Sequence, residues 1–351
     1  MGRTVAVPMF GIGDAEFFSH AAFIIIVNRK QVENRFMPTL NLLCRNATAL
    51  NADGSINEEA FRIFLQRFVD AGIGVYLGSA GSGEGGAMTP DELLRIYRIG
   101  VDVCKGKVQV NGNPPEKPTV RETLEHIQLA IKGGVEIVNV YGPPGWHAYR
   151  PTDDEFAAFF DELLPQVQHP VAIAPNPTIG YSPKPAMIAG ICHKYHQIVA
   201  VNLVNQDDDY FIEIKDRLNR DIDLNVPIDG SLDMLLLGAH GVIGGELNML
   251  PKTYRRYLDL YAADRLRDAA LVYADLKRFN RYVKQWRGAH PRWIKMMMKA
   301  FDMPGWHIRG PYRMPDDAEI ARFLEGLLKL RIPEIDELAT AAGMPLPARQ
   351  T

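Results

Sequence analysis

From Met37 onward the chain alternates short, β-branched apolar runs with longer segments whose apolar residues recur at helical spacing. TLNLLCR (39–45) reads as a first strand. NEEAFRIFLQRFVDAG (57–72) reads as a helix that ends on glycine. GVYLG (74–78) is a second strand, and TPDELLRIYRIGVDVC (89–104) a second helix with Thr89 as N-cap and Pro90 at its first position. The rhythm continues as KVQVNG (107–112) with 119–134, and VEIVNVYG (135–142) with a helix over 152–167 capped by Thr152. PVAIAPN (170–176) pairs with 184–195, and IVAVNLVN (198–205) with 208–218. DLNVPIDG (223–230) pairs with 231–240, and GVIGG (241–245) with 250–264. Eight strand–helix units in succession predict an α/β fold of the (β/α)8 TIM-barrel type, since an open doubly wound sheet usually has fewer.

The pattern also divides the chain. Residues 1–36 show no clear period and are expected to be an N-terminal extension, disordered or spurious. Their apolar run AAFIIIV (21–27) falls far short of the ~20 residues of a membrane span, and no small-residue cleavage site follows it. Residues 37–264 form the expected barrel, and 265–351 a C-terminal helical extension interrupted by PGWHIRGPYRMP (304–315). Such appendages often serve assembly or cover a barrel end.

Composition narrows the function classes. The 351 residues are 47% hydrophobic and 23% charged, with a net charge of −3 and no long block of one sign. Bulk electrostatics therefore give no reason to expect a nucleic-acid or membrane-surface partner. Cys44, Cys104 and Cys192 are odd in number and far apart, so a reducing cytoplasm is the expected compartment.

In a barrel of this kind, chemistry sits at the C-terminal strand ends and in the loops that follow. That selects Ser79–Glu84, Asn111–Asn113, Tyr141–Arg150, Asn176, Asn202–Asn205, Asp229 and Gly244–Asn248. GSAGSGEGG (78–86) carries glycines in dinucleotide-fingerprint register, but no acidic residue ends the next strand to hold a ribose. Its better reading is a loop whose backbone N–H groups converge on a carboxylate or phosphate. No cofactor is expected. CHKYH (192–196) offers zinc-ligand types, but at a helix C-terminus on the opposite barrel face. Asp229, Glu246 and His147 are conceivable hard metal ligands, yet loop carboxylates are ordinarily solvated or capping, and no metal site is assigned.

The ordered segments LGSAG (77–81), VYGPPGWHAYRPT (140–152), AIAPNPT (172–178), IVAVN (198–202), PIDGS (227–231) and GVIGG (241–245) resemble the dihydrodipicolinate synthase / N-acetylneuraminate lyase family. The likeness covers about residues 37 to 310. It implies a (β/α)8 barrel with a helical tail, a homodimer or homotetramer, and a lyase of small carboxylate substrates that works through a lysine Schiff base. The family's Gly-Thr-Thr-Gly carboxylate loop resembles Gly78-Ser79-Ala80-Gly81, and its Tyr-Asn-x-Pro strand end resembles Pro175-Asn176-Pro177-Thr178. Its proton-relaying tyrosine is thus Pro175, its following arginine is matched by Gly180, and its fourth-loop aromatic resembles Tyr149. The Schiff-base lysine is matched by Asn202.

An amide nitrogen is not nucleophilic and cannot form the imine, although it can donate a hydrogen bond to a carbonyl or enolate oxygen. Lys184 and Lys252 both read as first-turn residues of helices, not as desolvated strand-end amines. The expected site therefore holds a small 2-oxo acid or sugar acid on Ser79, Ala80, Gly81, Ser82, Asp229 and Gly244. Asn202 and Asn176 would polarise the reacting oxygen, with Tyr149 or His147 moving the proton. Two alternatives stand beside this: a non-catalytic metabolite-binding relative, and an aldolase with a displaced lysine. A pocket filled by side chains such as Trp146 would favour the former.

Overall fold

The computed structural model describes residues 40–145, 147–286 and 289–348, so the N-terminal extension and Trp146 lie outside the described residues. Eight strands follow in chain order: β1 (Asn41–Arg45), β2 (Gly74–Leu77), β3 (Val110–Gly112), β4 (Ile137–Val140), β5 (Val171–Ile173), β6 (Ile198–Asn202), β7 (Asp223–Val226) and β8 (Gly241–Gly244). Each pairs parallel with the next, and β8 returns to β1, closing the barrel anticipated from the periodicity. Closure depends on Gly241: a Cβ there would lie 2.1 Å from the Asn41 carbonyl oxygen.

The helices between the strands are α1 (Glu58–Asp70), α2 (Pro90–Cys104), α3 (Val120–Gly133), α4 (Asp153–Leu163), α5 (Pro185–Lys194), α6 (Asp208–Arg217) and α7 (Ser231–Leu236), with α8 (Pro251–Ala262) after β8. Their starts follow the local chemistry. Thr89 and Glu92 form a reciprocal capping box on α2, and Thr152 and Glu155 form another on α4, satisfying amides the helices leave orphaned. The inner faces of the helices, with Phe61, Phe68, Phe160 and Tyr257 among them, build the main core against the outside of the sheet.

The barrel lumen is a separate environment. Leu43, Tyr76 and Ile243 form a small apolar cluster of their own. Around them the amides of Asn139, Asn202 and Asn225 are buried.

After α8 come α9 (Leu266–Val283), α10 (Ala289–Ala300), α11 (Asp317–Leu328) and α12 (Pro333–Ala341). The segment between α10 and α11 is tied to the barrel by Arg309. Its guanidinium reaches both carboxylate oxygens of Glu92 at 2.7 and 2.9 Å and also donates to the carbonyls of Gly54 and Ala87. The Arg309 bonds, with help from the Thr89 amide, hold Glu92 down to about 2, from an ordinary 4.5. A carboxylate depressed in the folded state contributes stability that is full above its unfolded pKa and lost as pH falls from about 4.5 towards 2. Glu92→Gln should therefore cost about 1–2 kcal/mol near neutral pH, allowing for partial solvent screening, and flatten the acid limb of stability. Chemical denaturation midpoints of both forms between pH 6 and 2.5 would check this. An unchanged acid limb would remove the clamp from the account.

Candidate functional site

A cavity of about 1160 Å3 opens at the C-terminal mouth of the barrel. Its floor and walls come from the strand ends, and the C-terminal helices close one side through Asn280, Val283 and Trp293. The glycine-rich loop after β2 forms part of the lining. Ser79 Oγ accepts from the Gly83 amide at 3.0 Å, and the Ser79 carbonyl accepts from the Gly85 amide at 2.9 Å. These bonds curl the loop over itself, and the glycines serve that curl. A Cβ on Gly85 would stand 1.9 Å from the Gly78 carbonyl oxygen. With its oxygen occupied as an acceptor, the Ser79 hydroxyl still has its proton to donate.

Seven of the ten residues expected from the sequence line this cavity: Ser79, Ala80, Gly81, Ser82, Asn176, Asp229 and Gly244. Asn176 Oδ1 accepts from both the amide and the hydroxyl of Thr178, at 3.1 and 2.7 Å, so the side chain offers the cavity its NH2 group. Asp229 is held by Asn280 at 3.0 Å, by Lys284 at 2.7 Å and by Lys277. Although burial alone would raise its pKa, the two lysines hold its carboxyl below the ordinary range. Its oxygens thus tie α9 to the loop after β7. Among the described residues no group of three His, Cys, Asp or Glu side chains is placed to hold a metal ion.

The structure does not bring the other three to the cavity. Asn202 is fully buried beneath it. Its Nδ2 donates to Tyr76 Oη at 3.0 Å and to Asn139 Oδ1 at 2.9 Å, while its Oδ1 accepts from Asn225 Nδ2 at 2.9 Å. Asn225 in turn accepts from Asn41, which also donates to Asp223. The amide expected to polarise a substrate oxygen is therefore spent within the lumen network. Burial there pushes the Tyr76 phenol up to about 12. Tyr149 and His147 are exposed on the loop between β4 and α4, and the Tyr149 hydroxyl donates to Glu155 at 2.7 Å. Eleven residues between the last residue of β4 and the Thr152 cap carry these two away from the mouth.

Three further groups converge on the cavity: Arg45 at the end of β1 and Glu116 after β3, neither of them selected from the sequence, and Tyr141 immediately after β4, which the strand-end rule did select. Tyr141 donates to Asn113 Oδ1 at 3.2 Å. Burial raises the Tyr141 phenol and the Glu116 carboxyl, with Arg45 opposing both shifts. Arg45 is a charged residue closing the apolar run NLLC, a strand-end position of the kind where such barrels carry their chemistry. Among the described residues Lys284 is the one lysine lining the cavity. Lys184 and Lys252 are largely exposed and paired with Asp153 and Glu337.

A closed (β/α)8 barrel with a polar cavity at its C-terminal mouth and a helical tail along one side defines the class: barrels that carry their chemistry on strand ends. The chain belongs to the dihydrodipicolinate synthetase family, whose sequence profile matches residues 39–329. It is 26% identical over 214 residues to a DapA-like lyase of Pyrobaculum arsenaticum, covering 60% of this chain and 69% of that one. It is 22% identical over 260 residues to the 4-hydroxy-tetrahydrodipicolinate synthase of Methanococcus aeolicus, covering 74% and 88%. In fold it is similar to dihydrodipicolinate synthase from Aquifex aeolicus, with a TM-score of 0.74 and 19% identity over 84% of this chain and 99% of that one. A similar likeness holds to YagE, a prophage protein of the same family from E. coli K12 solved with pyruvate, with a TM-score of 0.74, 18% identity and coverage of 83% and 98%.

Proposed function

We propose that the cavity is the active site of a dihydrodipicolinate synthase-like lyase that acts on a small 2-oxo acid or sugar acid without a lysine imine. The observation that carries this reading is the pairing of an open polar cavity with a spent amide at the lysine position. Asn202 cannot supply a nucleophile, yet the mouth above it keeps its donors. The Ser79 hydroxyl and the Asn176 NH2 group suit a substrate carboxylate or a developing oxyanion. Tyr141 and Glu116 are the cavity's candidates for moving a proton, since both are desolvated groups on its wall. Asn202 acts from below as a positioning residue that fixes Tyr76 and the strand ends. The resemblance to the family extends the reading to a cytoplasmic homodimer or homotetramer.

Lys284 gives one specific reason to keep the displaced-lysine alternative, because it lines the cavity. Against it, Asp229 holds the ammonium at 2.7 Å, and a lysine paired in this way is a poor nucleophile at neutral pH. Incubation with pyruvate and borohydride, read by intact mass, is expected to give no lysine adduct. A stable adduct that disappears in Lys284→Arg would transfer the chemistry to that lysine. Turnover of an oxo acid or sugar acid distinguishes an enzyme from a non-catalytic relative.

A further inference from the structure

Arg45 closes β1 and faces the cavity. A guanidinium remains charged at every physiological pH and presents five donors in a planar fork. Two of its nitrogens, Nε and Nη2, are buried and have no hydrogen-bond partner in the protein. No ion pair within the described residues neutralises it. Arg45 as a whole is only partly buried, but buried donors nearly always find acceptors, and these two have none. Glu116 lines the same cavity but makes no salt bridge with Arg45, and burial biases its carboxyl towards the neutral form. Tyr141, which gives its proton to Asn113, can accept from Arg45 through its oxygen, but that leaves Nε and Nη2 without an acceptor. The group that fits two adjacent donors of a guanidinium fork is a planar carboxylate.

This arrangement is separate from the Ser79–Ser82 loop, which leaves β2 and offers a hydroxyl and backbone amides. Two chemically different anion-binding elements therefore open on one cavity. We propose that Arg45 is a specificity-determining residue that seats the second carboxylate of a small dicarboxylic acid, the first being held by the Ser79–Ser82 loop. The proposal rests on the reading of this cavity as a carboxylic-acid site and narrows its substrate class. Glu116 stands beside the seat as a group able to exchange a proton with the bound acid.

The test compares matched acids on the full-length protein by titration calorimetry at low salt: 2-oxoglutarate against 2-oxobutyrate, and oxaloacetate against pyruvate. The wild type is expected to bind each dicarboxylate at least tenfold more tightly than its monocarboxylate partner, a difference of about 1.4 kcal/mol. Arg45→Met should bring the two to within about twofold, chiefly by weakening binding of the dicarboxylate. Arg45→Gln, which keeps a planar donor without the charge, guards against loss of folding and should also abolish the preference. Equal binding of both acids by the wild type would overturn the role of Arg45 and leave the carboxylic-acid site standing. A preference that survives both substitutions would do the same. Binding of neither acid would overturn this inference together with the proposed function.

Discussion

Replacing Lys295 by methionine is expected to cost about 3–5 kcal/mol of folding stability, the range for removing one partner of a buried charge pair. Lys295 lies on α10 with no exposed surface. Its ammonium donates to the carbonyls of Thr48 and Gly305 and stands 3.7 Å from Glu84 Oε2. One side chain thus joins the first βα loop, the segment after α10, and the end of the glycine-rich loop. Methionine matches its length but returns none of these contacts, leaving two carbonyls and a carboxylate stranded. Glu84 can relieve part of the loss by protonating, because burial already raises its pKa. The deficit should therefore be larger at pH 8 than at pH 5, measured by denaturant midpoints. A second signature has the opposite origin. Burial holds Lys295 down to about 8 in the folded state, against 10.5 unfolded. Between those values the unfolded chain binds more protons, so this group alone makes stability rise with pH across that window. The variant should lack the rise. A variant as stable as wild type at both pH values would show that the pair does not hold the C-terminal helices to the barrel.

Asn202→Ala is expected to be nearly as costly, at about 3–5 kcal/mol. The substitution strands the Asn225 NH2 group and the Asn139 carbonyl oxygen, and leaves Tyr76 without a donor. Each stranded buried group costs about 1–3 kcal/mol, with a cavity contribution added. If Asn202 supports the site from beneath, thermal melting should drop sharply while affinity for a monocarboxylate changes by less than about threefold in the remaining folded protein. A variant that melts normally but no longer binds a carboxylate would place the amide in contact with ligand instead. The two outcomes separate a structural amide from a polarising one, which activity alone would not.

Much of the molecule was legible in the linear pattern because its causes are local. Alternating β-branched runs and helical spacings determine the number of strand–helix units, and Thr89 and Thr152 announce their helices by side-chain chemistry within four residues. Strand ends then place Ser79–Ser82, Asn176, Asp229 and Gly244 around one mouth without knowledge of any contact. The family resemblance likewise matches Asn202 with the position of the family's Schiff-base lysine.

Whether that position faces ligand or lumen was decided only in three dimensions. The partners of Asn202 lie 126, 63 and 23 residues away, on β2, β4 and β7, and closure of the barrel alone brings them together. The same closure gathers Arg45, Glu116 and Tyr141 from three strand ends, and joins α10 to the glycine-rich loop through Lys295. Tyr149 and His147 moved the other way: the long β4–α4 connection sets them on the surface, where loop length overrides strand-end position. Periodicity reports what each segment buries, because burial follows from its own side chains. Polar pairing depends on which distant segments meet, and only the closed barrel determines that.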